Sequence, residues 1–303
     1  MKPISAFLIL LSACGSVDNS TPDAPATVDD GPGGGDAVGG DASAARCDLG
    51  KPFATPTLVP KVNTSNDEFW FTTTRDELSG FVSYVVQQAP SNATILATGR
   101  RTIDDPFSTP NANITDAING VIGSEYAASP ISDGLLVYFH RQSGPNIGIY
   151  AATRMTGEDF TAGTAVTVDG KQLLDALSAT ISADGMTLYW LDIATFVLHS
   201  ATRGAKPTSF TGSTVTSKMG IGGNAVLTAD ELTLFYSEGN DIMETTRAST
   251  GMPFGVGVPV ANVNSAQNDY PTHLSHDGCV LYLVSTRPGG LGGPDIWEAR
   301  RPQ

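Results

Sequence analysis

The sequence predicts an all-β protein, a five-bladed β-propeller whose last blade takes its outer strand from the N-terminus. Three observations lead there. A unit recurs along the chain at spacings of 57, 51, 46 and 47 residues. The composition favours short strands and tight turns, and the two ends of the repeat array complete each other. The alternative blade count is six.

Composition bounds the rest. A chain of 303 residues can bury a substantial core. Charged residues make up only 16%, while Gly, Ser, Thr and Val are abundant, which suits strands and turns better than long helices. Thirty-one acidic against seventeen basic residues leave a net charge of −14. A field of that sign repels nucleic acid and anionic membrane surfaces, so nucleic acid is excluded as a partner and membrane contact is expected only through a lipid.

Residues 1–14 read as a lipoprotein signal peptide. Lys2 supplies the positive start, and Ile4 to Leu11 form an apolar run too short for a stable membrane span. Leu11-Ser12-Ala13-Cys14 resembles the lipobox of bacterial lipoprotein signal peptides. The resemblance implies that Cys14 becomes the lipidated first residue of the mature chain, where each buried CH₂ contributes about 0.8 kcal/mol of anchoring. Gly15 is next, and no Asp stands there. By resemblance to sorting in Gram-negative bacteria, this implies the outer membrane, with periplasmic or surface display left open. The alternative is an ordinary signal peptide with a chance cysteine.

Residues 15–46 form an acidic tether. Gly31-Pro32-Gly33-Gly34-Gly35 punctuates it, six aspartates charge it, and no basic residue precedes Arg46. Such a stretch cannot bury enough apolar surface to offset its ordering entropy and repels itself into an extended linker.

Residues 47–303 carry the repeat. An anchor aspartate recurs at Asp76, Asp133, Asp184, Asp230 and Asp277, and five positions after each stands Phe81, Tyr138, Tyr189, Phe235 or Tyr282. A later strand ends on a basic residue (Arg100, Arg154, Arg203, Arg247, Arg300), and a phenylalanine comes after the first four at Phe107, Phe160, Phe210 and Phe254. The fifth unit has no such phenylalanine, because the chain stops at Gln303. The missing piece lies at the other end: Lys51-Pro52-Phe53 with Val62-Asn63-Thr64-Ser65 parallels Met252-Pro253-Phe254 with Val263-Asn264-Ser265. An array whose ends complete each other is a closed ring. Each unit has room for four strands, a to d from the axis outward, which at this period describes a propeller. Asp-Gly at 133–134, 184–185 and 277–278 suits a tight a–b hairpin, since glycine tolerates positive φ. Asp76-Glu77 and Asp230-Glu231 depart from that pattern, so those two turns are expected to differ.

Leu274 to Tyr282, then Ser285-Thr286-Arg287 and Gly293-Pro294-Asp295-Ile296-Trp297, resemble the WD-repeat-like unit of the TolB C-terminal propeller. The resemblance covers residues 47–303 and implies the fold. It does not fix the function, because that unit serves sensors, scaffolds and enzyme-attached gates alike. The TolB N-terminal domain has no counterpart here, and the six blades of that family's propeller are the basis of the alternative count.

Strand order places the residues that open each strand a around one mouth of the central channel. Four units put an acid there: Glu68 (with Asp67), Glu125, Asp175 and Asp269, while the fourth has Gly222 and Gly223. Converging carboxylates could bind Ca²⁺, a cationic group or a sugar; otherwise each caps local backbone or faces water. The arginine and aspartate columns fall on the opposite face and are expected to clamp loops within each blade. Gly289-Gly290-Leu291-Gly292-Gly293 lacks the Lys-Ser/Thr of a phosphate loop and is expected to be a flexible b–c loop. His273 and His276, three apart near a strand, are expected on opposite faces. No zinc spacing, serine elbow or Cys–His nucleophile pattern is present.

Export permits disulfides, and with Cys14 acylated the remaining pair is Cys47 and Cys279. Strand c would separate them by about 10 Å. A bridge therefore requires residues 46–50 to fold back across the blade edge; the alternative is two separate thiols. The functional reading is a non-catalytic binding or scaffolding propeller in the cell envelope, with no cofactor, engaging an envelope protein, peptide or glycan. The alternatives are a carbohydrate-active hydrolase or lyase using the axial carboxylates, and a structural envelope protein.

Overall fold

The computed structural model describes residues 46–85, 93–120, 123–131, 133–217 and 224–303. The leader, Cys14 and all of the tether but Arg46 lie outside the described residues, as do Gly222 and Gly223. Among the described residues no helix is long and apolar enough to cross a membrane.

Five sheets make the five blades. The chain begins with β1 (Thr57–Leu58), whose partner comes last. Blade 1 is β2 (Asp67–Thr73), β3 (Ser79–Val85) and β4 (Ala93–Gly99), with Asn111 bridging Ala97 in place of a full outer strand. A single helical turn, α1 (Asp116–Asn119), leads to blade 2: β5 (Ser124–Pro130), β6 (Leu136–Ser143), β7 (Asn146–Thr153) and β8 (Thr164–Ala165). Blade 3 is β11 (Ala176–Ile181), β12 (Thr187–Asp192), β13 (Leu198–Arg203) and β14 (Ser209–Ser217). It is widened by the hairpin β9 (Thr167–Val168) and β10 (Lys171–Gln172), which joins β14 in parallel. Blade 4 is β15 (Ala225–Leu227), β16 (Thr233–Glu238), β17 (Asp241–Thr246) and β18 (Val258–Pro259). Blade 5 is β19 (Asp269–Leu274), β20 (Val280–Ser285), β21 (Asp295–Arg300) and, from the N-terminus, β1. Thr57 pairs Glu298 and Leu58 pairs Trp297. Four strands in every blade was thus too regular an expectation for blades 1 and 3, but the count and the closure hold.

The recurring aromatics hold the ring together. The strand-b residue of each blade packs against the recurring phenylalanine of the next: Phe81 on Phe160 at 5.9 Å, Tyr138 on Phe210 and Phe235 on Phe53. Tyr189 and Phe254 share a cluster, and Phe71 bridges Tyr282 to Phe107. The five buried clusters therefore lie between blades, each edge-to-face pair adding about 0.5–1.5 kcal/mol beyond its burial.

Each a–b turn is clamped twice. The anchor aspartate accepts from the backbone two residues on: Asp76 from Leu78, Asp133 from Leu135, Asp184 from Met186, Asp230 from Leu232 and Asp277 from Cys279. An arginine from strand c then donates Nε to the carbonyl of the next turn residue, as Arg100 to Glu77, Arg154 to Gly134, Arg203 to Gly185 and Arg247 to Glu231. In the fifth blade the donor is Arg301, not Arg300. Strand alternation turns Arg300 away, where it pairs with Glu298 at 2.9 Å.

Two expectations about these turns and loops are corrected. Glu77 and Glu231 do not make different turns, for both adopt the left-handed region, at φ of 56° and 61°, that glycine takes at 134, 185 and 278. Charge compensates the strain: Glu77 binds Arg46 and Arg100, and Glu231 binds Tyr189 and lies near Arg247. The glycine-rich b–c loop is not a free one. A Cβ on Gly292 would stand 2.1 Å from the Asn66 carbonyl, and one on Gly293 would stand 2.3 Å from Asp67 Oδ1. Glycine is needed there for close approach of the loop to the start of blade 1.

Residues 46–50 cross the edge of blade 5. Asp48 N–H donates to the Pro302 carbonyl, Arg46 reaches Asp277, and Cys47 is bonded to Cys279 with Cα atoms 5.7 Å apart.

Candidate functional site

The four axial acids do open the inner strands, yet they are not assembled into one exposed ring. Glu68 is 1% exposed, and its carboxylate accepts from the backbone N–H and hydroxyl of Thr64. Burial is the main cause that raises its pKa, with Asp295 and Asp67 adding to it. Glu125, equally buried, pairs with Arg141 at 2.9 Å; burial raises its pKa although Arg141 opposes this. Asp269 is fully buried, accepting from Ser265 N–H and from Arg287 at 2.6 Å. Asp175 alone is exposed, at a left-handed φ of 54° just ahead of β11. Three of the four are thus spent on bonds within their own blades, and Trp70, near Glu68 on β2, is buried. Among the described residues no group of three or more His, Cys, Asp or Glu side chains is placed to hold a metal ion.

An open cavity lies at the other mouth. It has a volume of about 100 Å³ and is lined by residues 73–75, 129–131, 180–183, 226–229 and 273–276, the ends of all five inner strands, with Glu231 beside them. The inner strands of blades 1, 2, 3 and 5 carry a register shift between their two ends, as between Glu68 and Trp70 or Pro271 and His273. A bulge of this kind bends a strand and re-aims the side chains beyond it. The freed N–H groups are met by the neighbouring blade: Ala127 donates to Ser83 Oγ and Ala179 to His140 Nε2.

His273 and His276 both line this cavity. They do not diverge, because β19 ends at Leu274 and His276 already belongs to the turn. His273 Nε2 lies 2.9 Å from Thr73 Oγ1 across the seam between blades 5 and 1, and burial pushes its pKa down to about 4. His276 is lowered by burial first and by the nearby Arg75 second. Arg75 is exposed, and among the described arginines it alone has no hydrogen bond, ion pair or ring contact. The single acidic lining residue, Glu231, accepts the hydroxyl of Tyr189.

The walls differ in character. Blades 5 and 1 present His273, His276, Thr73 and Arg75, while Ile131, Ile181 and Leu227 of blades 2, 3 and 4 leave partly exposed aliphatic surface. The aspartates of these turns are legible in the sequence, but the cavity between them is not. The available signal was the residue just before each anchor aspartate, which changes from Arg75 to Ala183, Ala229 and His276 while its neighbours repeat.

No protein-family model matches the chain, and no curated protein matches its sequence. Solved structures match the fold. The chain is similar to an exo-β-1,3-galactanase from Clostridium thermocellum with a TM-score of 0.52 and 8% identity, over 80% of this chain and 62% of that one. It is also similar to the catalytic domain of an α-L-arabinofuranosidase from Coprinopsis cinerea, at a TM-score of 0.49, 12% identity, and 82% and 96% coverage. TolB from Acinetobacter baumannii matches at 0.46 and 13%, over 78% of this chain and 55% of that one. At such identities the likeness concerns the fold. The class is that of five-bladed β-propellers.

Proposed function

We propose that this is a non-catalytic binding propeller, held in the cell envelope by a lipid on Cys14, which engages its partner through the cavity where the five a–b turns converge. The observation that carries this reading is the make-up of that cavity. Every blade sends the end of its inner strand there, its floor and rim mix hydroxyl, imidazole and aliphatic groups, and its single carboxylate is already bonded to Tyr189. Glycoside hydrolysis by the usual route asks for two carboxyl groups facing each other across the sugar. The buried acids of the opposite mouth are engaged by Thr64, Arg141 and Arg287, so a binding role at the a–b mouth accounts for more of the geometry than hydrolysis does. The bond between Cys47 and Cys279 suits an oxidising compartment and supports export.

The experiment is capture from envelope extract of the parent cell, with and without Ca²⁺, by the full chain and by a double variant Ala183→Glu, Ala229→Glu. Both alanines sit on the rim, so the added carboxylates obstruct the mouth and leave the core untouched. A partner retained by the native chain and lost by the variant is expected. Equal capture by both, or turnover of a captured glycan, would overturn the reading.

A further inference from the structure

Resting on that reading of the cavity, the geometry points to a ligand class: we infer that the a–b mouth takes a carboxylate borne on a short apolar body, with Arg75 and His276 at the anion and Ile131, Ile181 and Leu227 around the carbons. Three observations converge on this. Size comes first. A cavity of about 100 Å³ is well below the several hundred Å³ of a site for a drug-sized molecule. A small group enters it, or the end of a larger molecule.

Charge comes second. In a chain of net charge −14, each of the other described arginines is engaged: Arg46, Arg141, Arg287 and Arg300 with carboxylates, Arg154 and Arg203 with carbonyls, and the rest likewise. Arg75 alone among them stands free, at the rim of the cavity and next to His276. A guanidinium presents paired donors that match a carboxylate's two oxygens. The anchor aspartate nearest His276, Asp277, is held by Arg46 at 2.8 Å, and Glu231 by Tyr189, so neither competes for Arg75. The long-range repulsion of an anion by this acidic protein is screened beyond about 8 Å at physiological ionic strength, which leaves the local cation to decide.

Asymmetry comes third. Arg75 and the two imidazoles lie on the wall made by blades 5 and 1, whereas blades 2, 3 and 4 set Ile131, Ile181 and Leu227 among the hydroxyls of Ser129, Thr180, Ser182 and Thr228 and the engaged Glu231. An inorganic anion would leave that aliphatic surface wet, whereas a short carbon body covers it. The same chemistry is offered by a free short-chain acid and by the C-terminus of a peptide ending in a small apolar residue.

The test is ligand-observed NMR on the full chain with four probes: butyrate, butyramide, a tripeptide ending in free alanine carboxylate, and the same tripeptide amidated. Butyrate, the free tripeptide or both should bind, their uncharged counterparts at least tenfold more weakly, and Arg75→Gln should weaken the acid by at least tenfold. Arg75 has no bonding partner among the described residues, so the variant's melting temperature should not move. Binding of butyrate alone assigns the site to free acids, and binding of the tripeptide alone assigns it to chain termini. Equal binding of acid and amide, no binding of either acid at millimolar concentration, or indifference to Arg75→Gln would overturn the inference. If the rim variant still abolishes partner capture while the carboxylates fail, the binding reading stands and only this ligand class falls.

Discussion

The guanidinium of Arg301 lies 4.0 Å above the ring of Phe53, so the last basic residue of the chain rests on an aromatic ring from near its beginning. The same pairing recurs within single repeats, as Arg100 over Phe107, Arg154 over Phe160 and Arg247 over Phe254. At the seam it is assembled from two distant segments. Arg301 also donates to the carbonyls of Gly278, Leu49 and Lys51, and Asn63 Oδ1 accepts from Ile296 N–H. The closure is therefore a complete copy of a repeat.

That relationship predicts an asymmetry between neighbouring arginines. Arg301→Ala should cost about 2–3 kcal/mol through lost carbonyl bonds and the cation–π contact. Arg300→Ala, which loses a half-exposed pair with Glu298, should cost less than about 1 kcal/mol. Deleting residues 47–65 should leave β21 as an unpaired edge and cause aggregation or much earlier melting. Urea denaturation checks the first two and thermal scanning the third. An unaltered melting temperature after the deletion would contradict closure.

Cys47 and Cys279 join segments 232 residues apart, so their bond restricts nearly the whole domain when unfolded. The double variant Cys47→Ser, Cys279→Ser should be less stable by about 2–4 kcal/mol, and thiol titration of the denatured, unreduced native protein should find neither cysteine free.

Glu77 occupies a left-handed backbone position that costs a non-glycine residue about 1 kcal/mol. Its carboxylate meets Arg46 and the almost fully buried Arg100. Glu77→Gly should relieve the strain yet lose about 1–3 kcal/mol net, and Glu77→Ala should lose about 1 kcal/mol more, since it keeps the strain. A glycine variant more stable than the native chain would show that the ion pairs do not outweigh the backbone.

His140 is buried, its Nε2 accepts the Ala179 N–H, and burial pushes its pKa down to about 3. In the unfolded chain it titrates near about 6.5. Between those values the unfolded state binds the additional proton, so the stability contributed is complete above about pH 6.5 and is lost as pH falls. The raised carboxyls of Glu68 and Glu125 act in the opposite direction, which makes a comparison with a variant necessary. His140→Gln keeps an acceptor and removes the titration. Between about pH 7 and about pH 4 the native chain should lose about 3 kcal/mol relative to it. Parallel stability profiles for the two proteins would refute this.

For the anchor, Cys14→Ser should move the protein from the membrane fraction to the soluble one, by cell fractionation and immunoblot. Unchanged partitioning would exclude the lipid.

The sequence by itself determined the five-fold repeat, the ring closure and the place of the anchor aspartates in the a–b turns, because these arise from residues that recur: the aspartates themselves, the strand-b aromatics and the phenylalanines from Phe53 to Phe254. It also placed Glu68, Glu125 and Asp269 at the openings of their strands. Only the tertiary structure decided what those acids do, since Thr64, Arg141 and Arg287 reach them through side-chain directions that strand alternation alone does not fix. The same holds for Arg301 taking the place expected of Arg300, for Glu77 sharing glycine's conformation, and for His273 and His276 meeting in one cavity. That cavity exists because inner-strand bulges and five separate turns converge on an axis. Such convergence is a property of the closed ring, and no single repeat carries it.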